Sequence, residues 1–91
     1  MYKTKQLIDI LKATENLPSD YAAAHFLGVT TQSISKYRCG KSFCDDSVAL
    51  KIAGILKLNP LVVVASVRAE RAKRAGDETL FLFWSQHATG D

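Results

Sequence analysis

Between Thr30 and Lys41 the chain reads TTQSISKYRCGK, a run with three cations, Lys36, Arg38 and Lys41, and no acid. Its uncharged polar residues both donate and accept hydrogen bonds. A glutamine amide can pair bidentately with adenine N6 and N7, a threonine can meet a thymine methyl or a phosphate, and a lysine can reach a guanine or a phosphate. On a helix, Gln32 and Lys36 are four residues apart and share a face. Thr31, Gln32, Ser35 and Lys36 are therefore the candidate base-contacting residues. Thr30, Ser33, Tyr37, Arg38, Lys41 and Ser42 surround them as candidate phosphate contacts, which add affinity without sequence information. The bland alternative for each is a solvated helix residue, and for Tyr37 a core ring with only its hydroxyl at the rim. The expected chemistry is binding, and no enzyme is expected. No nucleophile stands beside a base, and no glycine-rich phosphate loop occurs.

Such a face needs a helix held from behind, and the preceding residues provide for one. Ala24 stands four positions before Gly28 and Ile34 six positions after it, with Leu27 and Val29 flanking the glycine. The small residue lets two helices approach, the glycine can take the positive φ that ends the first, and Ile34 buries the second. The spacing predicts a helix-turn-helix with Thr31, Gln32, Ser35 and Lys36 on its free face.

At 91 residues the chain has room for one core, and its 47% apolar content marks a globular protein. Its net charge of +3 is unevenly placed. Met1 to Cys44 carries six Lys or Arg against three acids, whereas Asp45 to Asp91 carries six against six. The excess coincides with the predicted helix pair, as a polyanion-binding surface requires. Cys39 and Cys44 lack the clustering of a zinc site and read as reduced thiols, so no metal, cofactor or small-molecule ligand is expected. No apolar run approaches the roughly 20 residues of a bilayer span, and the N-terminus has no signal-peptide core. A cytoplasmic protein without a membrane partner is expected.

The remaining elements follow from caps and periodicity. Thr4 can cap a first helix that buries Leu7, Ile8 and Leu11, and Ser19 or Asp20 a second that stops at Gly28. Thr30 caps the third. Asp46 or its neighbour starts a fourth, with Val48, Ile52, Ala53, Ile55 and Leu56 at helical spacing. Asn59 and Pro60 start a fifth. Its β-branched opening, LVVVA, would also suit a strand, but the strong cap and the RAERAKRA continuation favour helix. The charges at Arg68, Glu70, Arg71, Lys73 and Arg74 spread around it and read as a solvated, salt-bridged face. After Gly76 and Asp77 a sixth short helix is expected. The chain thus reads as an all-α, compact five- to six-helix bundle, with residues 1–75 as the binding domain and 76–91 as a C-terminal helical segment. That segment is apolar on more than one side: Leu80, Phe83 and Trp84 share one, while Phe81 and Leu82 point elsewhere. A second surface should cover it, so a homodimer interface of Leu80, Phe81, Phe83 and Trp84, joined by Val62 and Val63, is expected. The alternative is that the segment closes its own domain.

From Ser19 to Leu58, AAHFLGVTTQSISKYRCGK followed by DSVALKIAGILKLNP resembles the Cro/cI-type helix-turn-helix domain of phage repressors and bacterial regulators. Over Lys5 to Ala75 the order of LKA, LPSDYA, DDSVALKIA and RAERAK is more similar to short regulators of filamentous phages and prophages. The resemblance implies a lambda-repressor-like bundle that binds a palindromic operator in double-stranded DNA as a homodimer. It puts Thr31, Gln32 and Lys36 at base-reading positions and Thr30, Ser33, Lys41 and Ser42 at phosphate positions. Where many members carry a phosphate-bonding glutamine early in the second helix, this chain has Asp20. A carboxylate there repels phosphate and suits a cap better. The implied function is a transcriptional regulator, a phage or prophage repressor. The alternative is a protein-interaction module of the same fold, such as an antitoxin or anti-repressor partner.

Overall fold

The computed structural model describes residues 1–89, and among them it has six helices and no strand. In order they are α1 (Thr4–Thr14), α2 (Asp20–Leu27), α3 (Thr31–Arg38), α4 (Asp46–Leu56), α5 (Pro60–Ala75) and α6 (Glu78–His87). Most of them begin on a side-chain cap. Ser19 accepts the Ala22 N–H at 3.1 Å, Thr30 that of Ser33 at 3.1 Å and Asp45 that of Val48 at 2.9 Å. Asn59 accepts the Leu61 N–H at 2.9 Å ahead of Pro60, and Asp77 that of Leu80 at 3.1 Å. Each satisfies an amide that the first turn leaves without a partner.

α1 is capped differently from the expectation. Thr4 is its first helical residue and fully buried, and the cap comes from α5. The Glu70 carboxylate accepts both the Thr4 N–H at 2.9 Å and the Thr4 hydroxyl at 2.8 Å. A carboxylate at a helix N-terminus also suits the helix dipole.

α2 ends where Gly28 takes φ +74°, and the Val29 N–H returns to the Ala24 carbonyl at 3.0 Å. Ala24, Leu27, Ile34 and Tyr37 then pack into one core with Leu7, Ile8 and Leu11 of α1, Val48 and Ile52 of α4, and Val63 and Val67 of α5. Burying each large aliphatic here contributes ~1.5–3 kcal/mol.

α5 is helical throughout, and it buries two sides. Val63 and Val67 enter the central core, whereas Val62, Ala65, Ala69 and Ala72 are buried outside that cluster, on the helix that packs α6. Val62 (6% exposed) and Val63 (0%) are therefore interior residues, and neither is open to a partner subunit as expected. The charges on α5 lie on a face that is largely solvated and salt-bridged, and several of them also reach other elements. Besides Glu70 on Thr4, Arg68 pairs with Asp46 and lies over the Trp84 ring at 4.9 Å. Arg71 donates to the Cys44 carbonyl at 2.8 Å and Arg74 to that of Gly40 at 3.1 Å.

The small side chain at Ala24 sets how closely α2 can pass its neighbours. Ala24→Leu should overpack the site by ~1–3 kcal/mol, lowering the melting midpoint by several degrees. An unchanged midpoint would mean that α2 and α3 do not meet there.

Candidate nucleic-acid interface

α3 divides cleanly between its two sides. Ile34 and Tyr37 are buried, while Thr31, Gln32, Ser35 and Lys36 are all exposed. The four candidate base-reading residues thus share the open surface of one helix. Tyr37 belongs to the core, where burial pushes its phenol pKa up, so its ring does not join that surface. Thr30 and Ser33 are partly committed to the cap, since the Thr30 hydroxyl also donates to Ser33 Oγ at 3.0 Å. Lys41 is exposed and Ser42 half-buried, and their amides close the end of α3 on the Lys36 carbonyl at 3.0 and 3.4 Å.

Arg38 departs furthest from its expected role. Its Nε and Nη2 donate to the two Asp20 carboxylate oxygens at 3.0 and 2.8 Å, and Nη1 donates to Asp9 at 2.6 Å. Lys12 adds a bond to Asp20 at 2.9 Å. Two cations and two carboxylates form one network across α1, α2 and α3. A guanidinium held in a fork by a carboxylate, with a second carboxylate beside it, is not free for a phosphate. Asp20 is likewise not the α2 cap, which is Ser19. The sequence does hold one signal of this pairing. Asp20 opens α2 and Arg38 closes α3, where each charge suits its helix dipole.

Tyr21 and His25 are exposed, and by type alone neither residue points to a binding role. They lie four apart on α2 and line an open groove with Ala24, Val29, Thr30, Thr31 and Gln32. Tyr21 is 71% exposed, a large aromatic beside the first turn of α3. The exposed i, i+4 pair on α2 was the available cue.

Over 80 aligned residues the chain is 31% identical to an uncharacterized protein, Gp-c, of Pseudoalteromonas phage PM2, with 87% of each chain covered. The chain belongs to the Gp-c family. No family-wide sequence profile matches it, and no solved structure matches it. Among the described residues, no helix is long and apolar enough to cross a membrane.

The network around Arg38 carries a pH signature. Hydrogen bonds from Arg38 and then from Lys12 hold the Asp20 carboxyl well below its ordinary range. A carboxylate depressed in the folded state stabilises fully above its unfolded pKa of about 3.9 and loses that contribution as pH falls. The group is partly open to solvent, so the effect is about 1 kcal/mol or less. The urea midpoint should therefore decline below about pH 4, and Asp20→Asn should flatten that decline. Equal acid slopes in the two proteins would remove Asp20 from the account.

Proposed function

We propose that this protein is a sequence-specific DNA-binding transcriptional regulator, a phage-type repressor that reads double-stranded DNA with α3. The observation that carries this reading is the split of α3. Thr31, Gln32, Ser35 and Lys36 are open together, while Ile34 and Tyr37 anchor the opposite side. In this reading α2 and α3 act as a lambda-repressor-like helix-turn-helix. α3 enters the major groove, Gln32 pairs with adenine, Lys36 and Ser35 reach neighbouring base edges or phosphates, and Lys41 with Ser42 contacts the backbone. The kinship to a phage protein agrees with a phage regulator.

A palindromic operator calls for two-fold symmetry, and α6 is the surface we assign to it. Leu80, Leu82 and Phe83 are 47%, 55% and 49% exposed, and no residue between Glu78 and His87 is buried. Trp84 and Phe81 are half-buried, beneath Arg68 and Lys73 respectively. The interface is thus redrawn from the one expected. Leu80 and Phe83 form its centre, Phe81 and Trp84 its edge, and the valines of α5 lie outside it.

Duplexes selected from random DNA by the full-length chain test the reading. Gln32→Ala should cost ~1–3 kcal/mol on the selected site and little on random duplex. Equal losses on both would show that Gln32 does not read sequence, and no mobility shift with any duplex would overturn the proposal.

The dimer has its own test. Removing α6 would uncover the alanine face of α5, so a point change is the cleaner probe. Phe83→Asp places a charge on an exposed position, and should give a folded monomer by sedimentation with weaker operator binding. A parent protein that is monomeric at micromolar concentration, or a variant that stays dimeric, would exclude this surface.

A further inference from the structure

The cations of this chain that a partner oxygen holds divide into those on carboxylates and those on backbone carbonyls, Lys51 on the Leu27 carbonyl at 3.3 Å among the latter. Among the described residues, Lys12, Arg38 and Arg68 pair with carboxylates, and their charge is locally cancelled. Arg71 and Arg74 are exposed and are held instead by the carbonyls of Cys44 and Gly40, at 2.8 and 3.1 Å. A carbonyl is a dipole, so it fixes a guanidinium without neutralising it. Each of these bonds uses one of five N–H donors and leaves the rest of the fork available.

Their position is equally informative. Gly40 and Cys44 bound the loop that follows α3, and Lys41 lies next to the carbonyl that holds Arg74. The Lys41 amide in turn bonds the Lys36 carbonyl at 3.0 Å. Lys36, Lys41, Arg74 and Arg71 are therefore linked through consecutive contacts, although Arg71 and Arg74 lie more than thirty residues beyond α3 in sequence. From this we infer that the C-terminal half of α5 belongs to the same polyanion-binding surface as α3, with Arg71 and Arg74 gripping backbone phosphates of duplex DNA beside the bases that α3 reads. The inference rests on the DNA-binding reading and replaces the contact withdrawn by Arg38. Carbonyl-anchored guanidiniums are pre-organised for a phosphate, which they can bind with two parallel N–H bonds.

The test is the salt dependence of binding by the full-length protein to a selected duplex and to a random duplex of equal length. Arg74→Gln should weaken both several-fold and lower the log–log salt slope by about one. Arg71→Gln with Arg74→Gln should lower it by about two. Arg74→Lys keeps the charge without the fork and should restore the slope. Melting curves of each variant separate charge from folding. If Arg74→Gln leaves the slope unchanged while Lys41→Ala lowers it, α5 lies outside the interface and the reading of α3 stands. If Arg74→Gln weakens binding only together with a lower melting midpoint, and Arg74→Lys does not restore it, Arg74 merely supports the loop and the inference fails. A wild-type protein with no salt-dependent duplex binding would remove both.

Discussion

The fork between Arg38 and Asp20 sets the orientation on which the proposed reading surface depends. α2 and α3 are eight residues each, too short to persist as isolated helices in water. Ala24, Leu27 and Ile34 press them together, but apolar packing between such short elements is weakly directional. The planar guanidinium adds direction, because it holds both Asp20 oxygens with Nε and Nη2 and reaches Asp9 on α1 with Nη1. Three helices are thereby tied at one point. The angle at which Gln32 and Lys36 face outward is inherited from that tie.

Legibility from sequence followed the range of each interaction. Caps at Ser19, Thr30, Asp45, Asn59 and Asp77 act within three residues, so their types and positions announced most helix starts. The bond from Glu70 to Thr4 spans 66 residues and left no local trace. Thr4 has the side chain of a cap, and only the arrival of α5 turns it into the capped residue. Arg38 reads as a phosphate contact for the same reason. A cation in the last turn of a basic helix is locally indistinguishable from a phosphate contact until the carboxylates of α1 and α2 close on it.

α5 shows a related effect in its apolar residues. Val62 and Val63 are neighbours in sequence but belong to different sides of the helix, one buried outside the central core and one within it. Periodicity predicts a buried face but not what covers it. The small residues Ala65, Ala69 and Ala72 allow α6 to lie close, and with Val62 buried outside the central core and Val63 within it, neither valine is left for a second chain. The excess apolar area has moved outward to Leu80, Leu82 and Phe83.

A formal count of charge therefore misplaces the field of this protein. By sequence the positive excess belongs to the N-terminal half, and the rest balances. In the fold, Asp9 and Asp20 neutralise Arg38 and Lys12, while Asp46 neutralises Arg68. Glu70 serves the first turn of α1, and Asp45 and Asp77 serve those of α4 and α6. The acids of the C-terminal half are thus largely assigned to helix ends and to Arg68, and Arg71 and Arg74 meet carbonyls instead. Coulomb attraction to a polyanion depends on which charges are already compensated at contact distance, more than on the total. By that measure Lys36 and Lys41 at the end of α3, and the arginines that α5 brings against the loop behind them, are among the cations of the described residues that no carboxylate compensates.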